Sequence, residues 1–324
     1  MRADYALIVG GGRSGTNWLL ELFDQSPETF CRNEPYGAPE SPLNELADDR
    51  FWVRHDQSAL DSRWDEVIAW TSTHMGERDH AIKVPKSYMF EISRTLGLYR
   101  MVQGPRLRRL TRRVIPALRG GEWPVPRWIA HPGRLAEATA ILKLVAPPGW
   151  AVFVLQQRPQ IPVFHIIRHP GGFLNSWANR WAAGRDMNEI KRKNEERLRR
   201  IGEVDPAWAE RFGDITPMSA DRSELWYWHY VNEVIYEAGK GRQQYHRIIY
   251  EDLVSDPART MRRCYEAAGL SWDPVIEARI SVAASDSAAI ASAWRKKLAS
   301  EHIELVEEFL SPIPEFYAER TAMR

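Results

Sequence analysis

Ala6-Leu-Ile-Val9 runs straight into Gly10-Gly-Gly12-Arg13-Ser14-Gly15-Thr16-Asn17, which leads into Trp18-Leu-Leu-Glu-Leu-Phe23. The order predicts a buried strand, a glycine turn and a helix, with backbone N–H groups and a helix N-terminus aimed at whatever fills the turn. Such a turn suits a phosphate or sulfate. It lacks the lysine of the nucleotide-triphosphate loop G-x-x-x-x-G-K-[ST], because Thr16 and Asn17 follow Gly15 and the nearest cation, Arg13, lies inside the loop. The loop therefore points away from ATP–Mg.

Outward from this turn, short apolar runs predict strands at Ala6–Val9, Thr29–Arg32, Ala81–Val84, Val152–Leu155, Val163–Ile167 and Arg247–Tyr250. Helical patterns follow several of them, at Thr16–Gln25, Tyr88–Leu96, Pro170–Ala183 and Pro257–Ala268, with others at Glu224–Ala238 and Glu301–Phe309. Strands alternating with helices predict an α/β fold with a parallel central sheet flanked by helices and its ligands at the strands' C-terminal ends. The chain reads as one domain over 1–324, with an insertion at 97–162 rich in Pro, Gly and Arg. Within it Leu107, Leu110, Val114 and Leu118 oppose Arg108, Arg109, Arg112 and Arg113. That pattern fits a solvated basic face, and stretch 104–119 is also a candidate contact for an acidic acceptor or a membrane surface. The charge run Glu189–Arg200 mixes both signs and reads as a solvated helix or lid.

The 324 residues suffice for a full core, and 44% hydrophobic with 27% charged residues is ordinary for a globular protein. A formal net charge of +1 argues neither for nor against a polyanionic partner and makes any electropositive site local. No nucleic-acid partner is expected. Cys31 and Cys264 have neither metal-ligand nor disulfide-framework spacing. No metal is expected. The apolar run before the glycines is too short for a signal peptide, and no run suits a membrane span, so the expected compartment is a reducing cytoplasm.

A second segment, Phe164-His-Ile-Ile-Arg168-His-Pro170-Gly-Gly-Phe-Leu-Asn-Ser176, predicts a strand end followed by a helix from Pro170. Ser176 and Arg180, four residues apart, would share a helical face above Arg168 and form a second phosphate pocket. Taken together, the two segments resemble the sulfotransferases that use 3′-phosphoadenosine-5′-phosphosulfate (PAPS). Arg13-Ser-Gly-Thr-Asn-Trp18 resembles that family's 5′-phosphosulfate loop [KR]-S-G-T-[TN]-W, and Arg168 with Ser176 resembles its R-x-P-x-x-x-x-x-S element for the 3′-phosphate. Tyr250-Glu-Asp-Leu253 with Asp256-Pro257 is similar to its Y-E-D-L-x-x-D-P segment. Trp294-Arg295-Lys296-Lys297 resembles, less specifically, its late basic segment over the nucleotide.

The resemblance implies a P-loop NTPase-like sulfotransferase fold, with PAPS as cosubstrate, 3′-phosphoadenosine-5′-phosphate (PAP) as product, and an acceptor hydroxyl or amine. The cytosolic branch carries K-T-H after its third strand, where this chain reads Ile82-Lys83-Val84-Pro85. Proline stands in place of the histidine base. The Golgi-type and tyrosine-protein branches use a glutamate after the second strand, where Glu34 stands 21 residues beyond Arg13 (34 − 13 = 21). Arg180 also matches an additional 3′-phosphate arginine of the tyrosine-protein branch. The implied roles are Glu34 as general base, with Arg13, Lys83 and the amides of Ser14–Thr16 on the leaving oxygen. Gly12 to Asn17, Arg168, Ser176, Arg180, Tyr250, Arg295 and Lys296 would hold the nucleotide.

A sulfuryl group carries one fewer negative charge than a terminal phosphoryl, so fixed cations and N–H groups can do the work of a metal. His55, His74 and His80 are candidate acceptor-cleft residues. Trp52, Trp64, Trp70, Trp177 and Trp181 are core or the walls of an aromatic cavity. Sugar, phenol, lipid headgroup and peptide tyrosine acceptors all suit a glutamate base. The rival readings are a P-loop kinase or NTPase using ATP–Mg and a non-enzymatic nucleotide- or polyanion-binding module.

Overall fold

The computed structural model describes residues 4–34, 53, 57–73, 82–98, 129–285 and 294–310. The basic stretch 104–119, His55, His74, His80 and Trp52 lie outside them, as do the side chains of Trp70, Arg180 and Trp181.

The elements in chain order are β1 (Tyr5–Val9), α1 (Thr16–Phe23), β2 (Thr29–Asn33), α2 (Ser58–Thr73), α3 (Glu91–Thr95), α4 (Pro132–Leu135) and β3 (Thr139–Lys143). Then come α5 (Pro148–Gln157), β4 (Val163–Ile167), α6 (Pro170–Ser176) running into a π-helix over Trp177–Ala182, α7 (Met187–Val204), α8 (Pro206–Phe212) and α9 (Ala220–Gly239). The remainder is β5 (Tyr245–Ile249), α10 (Tyr250–Ser255), α11 (Pro257–Ala267), α12 (Pro274–Ala284), α13 (Trp294–Lys297) and α14 (Ser300–Leu310).

The strands form one five-stranded sheet in the order β2-β3-β1-β4-β5, with every described pairing parallel. Leu7 lies beside Leu142 and Val163, so the C-terminal ends of β1, β3 and β4 finish together. Both faces are covered, which is why β4, Val-Phe-His-Ile-Ile, is buried at every position. One face packs on α2, α5, α7 and α9 through Trp64, Trp150, Phe153, Leu198 and Tyr230. The other packs on α1, α11 and α12 through Leu19, Phe23, Met261 and Ile276. A third cluster, with Phe173, Trp177, Trp228 and Phe309, joins α6 to α9 and α14. Trp64 and Trp177 are thus core residues.

Local chemistry sets several helix starts. Asp205-Pro206, Asp256-Pro257 and Asp273-Pro274 each place a carboxylate at the N-cap, where it accepts a backbone N–H two or three residues on, and a proline at the first helical position. Lys86 ties down the α1–β2 turn. Buried at 1% exposure, it donates to the carbonyls of Asp24 (2.7 Å) and Ser26 (2.8 Å) and pairs with the Asp24 carboxylate.

The structure corrects four expectations. Val152–Leu155 belongs to helix α5, whose residues Pro148 to Leu155 are all buried, so its apolar run has no amphipathic period to separate helix from strand. Residues 82–84 are not a strand, and the sheet position next to β2 is filled by Thr139–Lys143. The strand and helix at 139–157 therefore continue the β/α rhythm inside the stretch read as an insertion. Finally, the helix from Pro170 changes to π geometry at Trp177 rather than continuing as α-helix to Ala183.

Candidate active site

The glycine turn follows β1 directly. Ser14 N–H donates to Gly11 O at 3.2 Å, and Arg13 takes a left-handed backbone with φ 66°. Gly15, with φ 96°, caps α1 and has no side chain to satisfy the first-turn N–H groups. A Cβ there would meet the Tyr250 ring at 2.5 Å, so the position requires glycine for space as well as backbone angle. Ser14 is fully buried, and its Oγ has no hydrogen-bond partner among the described residues. A buried hydroxyl without a partner beside an uncapped helix start fits an oxyanion ligand.

The second cradle grows from the next strand. Arg168, 6% exposed, follows β4 and donates from Nη1 to the Arg13 carbonyl at 3.2 Å. Its guanidinium lies 4.5 Å from the centre of the Tyr250 ring. Ser176 closes α6, and its Oγ accepts a hydrogen bond from Arg13 Nε at 3.1 Å across 163 residues of sequence. Arg13, Arg168, Ser176 and Tyr250 thus come together in one crevice at the strands' C-terminal ends. Trp294 stacks on His169, the residue after Arg168, with ring centres 4.6 Å apart, which brings the exposed Arg295 and Lys296 beside this cradle. The backbone of Arg180 belongs to the π-helix.

Glu34 follows β2 with φ 50°. Its N–H donates to Lys143 O at 3.0 Å, and its Oε1 accepts from Lys143 Nζ at 2.6 Å. Lys143, the last residue of β3, is 1% exposed and also donates to Asn33 Oδ1 at 2.8 Å. Because side chains alternate along a strand, Lys143 points to the same face as Ile141, the face covered by α1. The ion pair therefore sits on the side of the sheet where the glycine turn enters its helix.

Lys83 is not brought to this crevice. It pairs with Glu21 in the second half of α1, and its N–H meets the Asp24 carboxylate. There it lines a cavity of roughly 690 Å³ with Gln25, Val275, Arg279 and Val282, towards the strands' opposite ends. Partial burial lowers its pKa. Lys83 was assigned from its match to the lysine of the family's K-T-H segment, while Ile141-Leu-Lys143-Leu-Val145 also carries a lysine in an apolar run. Only the pairing of β2 with β3 shows which lysine faces Glu34.

Among the described residues no group of His, Cys, Asp and Glu gathers to hold a metal ion, and no helix is long and apolar enough to cross a membrane. Residues 6–274 match the family model described as the sulfotransferase family. Over 74 residues the chain is 36% identical to carbohydrate sulfotransferase 2 of Mus musculus, a match covering 18% of this chain and 14% of that protein. The sulfotransferase domain from the curacin biosynthetic pathway aligns with a TM-score of 0.44 at 13% identity, covering 94% of this chain and 96% of that one. Sulfotransferase STF9 from Mycobacterium avium gives 0.43 at 17%, covering 98% and 77%.

Proposed function

The chain belongs to the sulfotransferase family, and on that premise we propose that it transfers a sulfuryl group in line from PAPS to an acceptor hydroxyl, with Glu34 as general base. The observation that carries this reading is the 3.1 Å contact from Arg13 to Ser176, which joins the two oxyanion cradles in one crevice. The turn from Gly12 to Asn17 would hold the 5′-phosphosulfate. Arg168, Ser176 and Arg180, with Arg295 and Lys296 beside them, would hold the 3′-phosphate.

PAPS supplies the sulfuryl group, and its sulfur–oxygen bond to phosphate breaks as the acceptor oxygen–sulfur bond forms. The acceptor proton passes to the Glu34 carboxylate, an effect worth about 10²–10⁴-fold in such catalysts. Lys143 pairs with that carboxylate and fixes its direction, in a role the sequence assigned to no residue. Arg13 and the turn amides face the charge that grows on the leaving phosphate oxygen. Lys83 has no part in this chemistry. The short match to a carbohydrate sulfotransferase supports a hydroxyl as the acceptor group.

Thermal unfolding with PAP and with ATP–Mg tests the assignment. PAP at one hundred times its Kd should add about 2.7 kcal/mol of stability, and ATP–Mg at the same concentration little. Greater stabilisation by ATP–Mg would return the chain to the kinase reading. No response to PAP, with salt-sensitive binding to heparin, would leave a polyanion-binding module.

A further inference from the structure

We infer that the indole N–H of Trp228, on α9, is a further donor of the glycine-turn cradle and hydrogen-bonds the oxyanion at the 5′ end of the nucleotide. The inference deepens the reading proposed above and rests on it, because the glycine turn must hold that oxyanion. Two polar side chains border the space at Gly11, near the start of the turn. A Cβ built on Gly11 would lie 3.3 Å from Ser14 Oγ and 3.5 Å from Trp228 Cδ1, the ring carbon bonded to Nε1. Ser14 and Trp228 are 0% and 2% exposed, and neither Ser14 Oγ nor Trp228 Nε1 has a hydrogen-bond partner among the described residues. Buried polar groups are nearly always paired, because an unmade bond leaves the cost of desolvation uncompensated. An indole N–H can only donate, so the group that satisfies it is an acceptor. Beside Arg13 and the turn amides, the acceptor that fits is an oxygen of an anion.

The fold brings this donor from the side the loop itself does not supply. Helix α1 covers one face of the sheet and α9 the other, so the indole approaches the turn from the face opposite the helix that the turn enters. Packing holds it there. The ring sits in the cluster with Phe173, Leu225 and Ile249, its centre 6.2 Å from that of Phe173 on α6. The first turn of α9 is tied to α7, where Asn194 Nδ2 donates to Ala220 O at 3.3 Å. A donor fixed before the ligand arrives spends little on reorganisation, which is what an oxyanion contact requires. Trp226 also has a buried Nε1 with no described partner, but its ring packs against Phe212, His229 and Phe309, none of which belongs to the crevice. Burial without a partner and position beside the turn coincide at Trp228.

Calorimetric Kd values for PAP and for adenosine-3′-phosphate, which lacks the 5′-phosphate, test the donor. Trp228→Phe, which keeps a ring in the cluster and removes the N–H, should weaken PAP by roughly 10–10²-fold, as expected for a hydrogen bond to a charged group. Affinity for adenosine-3′-phosphate should stay within about twofold, which also reports that the variant is folded. Unchanged PAP affinity, or equal losses for both ligands, would overturn the donor. A wild-type protein that binds both nucleotides equally would instead overturn the glycine turn as the 5′ cradle, and the donor with it. Proton–nitrogen spectra of protein labelled with ¹⁵N-tryptophan give a readout that a packing role would not move. The indole peak absent from Trp228→Phe should shift downfield with PAP and stay in place with adenosine-3′-phosphate, and a peak unmoved by PAP would refute the contact. Should Trp228→Phe not fold, the wild-type spectrum decides. One indole peak moved by PAP and not by adenosine-3′-phosphate supports the donor, and none overturns it.

Discussion

Arg13, Glu34 and Ala146 are the non-glycine residues with left-handed backbone among those described, at φ 66°, 50° and 45°. Each follows the C-terminal end of a neighbouring strand, β1, β2 and β3. Such a conformation costs on the order of 1–2 kcal/mol per residue and persists where surrounding bonds impose it. Here those bonds are Glu34 N–H to Lys143 O and Ala146 N–H to Gly10 O, at 3.0 and 2.8 Å. Two of the three strained residues are the cation and the base that the motifs had singled out. Lys143, the partner of Glu34, was not, because its meaning depends on a contact 109 residues away. Glu34→Gln should abolish turnover with little change in PAP affinity, and a fully active variant would remove Glu34 from the mechanism. Lys143→Met should also lose turnover, and by leaving a carboxylate without its buried partner it should cost about 3–5 kcal/mol in urea unfolding. Adding Glu34→Gln to it should recover most of that stability but no activity. Undiminished stability in Lys143→Met would show that the pair contributes nothing to the fold.

At the scale of elements, β4 is held to its neighbours by more than its ladder. His165, fully buried, meets Tyr245 Oη of β5 at 2.9 Å and Asn232 Oδ1 of α9 at 3.1 Å. Asn232 Nδ2 donates to Trp228 O, which fixes its other amide atom as an acceptor. Nε2 of His165 therefore carries the proton, and Nδ1 accepts from Tyr245. Burial lowers the His165 pKa to about 3 against an ordinary 6.5, opposed by the Asn232 hydrogen bond and aided by the charge of Arg247. The folded state binds its proton later than the unfolded chain, so this stability is fully present above pH 6.5 and is lost as pH falls towards 3. Between pH 6.5 and 5 the loss should approach about 2 kcal/mol, with a smaller one of the same sign from His246, whose pKa burial also lowers. His165→Gln should flatten the pH dependence of urea unfolding over that interval. A wild-type stability unchanged between pH 5 and 6.5 would refute this account. Elements were legible where the pattern was local: the β1 turn, β4 and the helix after Asp256-Pro257. They were not where burial on all sides removed the period, as in α5, or where the run was short and ended in a charge, as in β3.

For the whole molecule, the parallel sheet places the ends of β1, β2, β3 and β4 along one rim, so residues from four separate crossovers meet there. If one nucleotide bridges both cradles, hydrogen exchange should slow on PAP binding at residues 10–17 and at 168–176 together. Adenosine-5′-phosphosulfate should protect the first turn far more than the second. Protection confined to the first turn with PAP would show that the second cradle is idle. The sequence by itself determined the β-turn-α start, the helix beginning at Pro170 and the family motifs, because each is encoded in a few adjacent residues. Tertiary structure alone decided that Lys143 rather than Lys83 faces Glu34, that Arg13 reaches Ser176, and that the Tyr250 ring packs against Gly15. Those facts depend on strand order and register, which join residues more than a hundred positions apart and leave no mark on either stretch read alone.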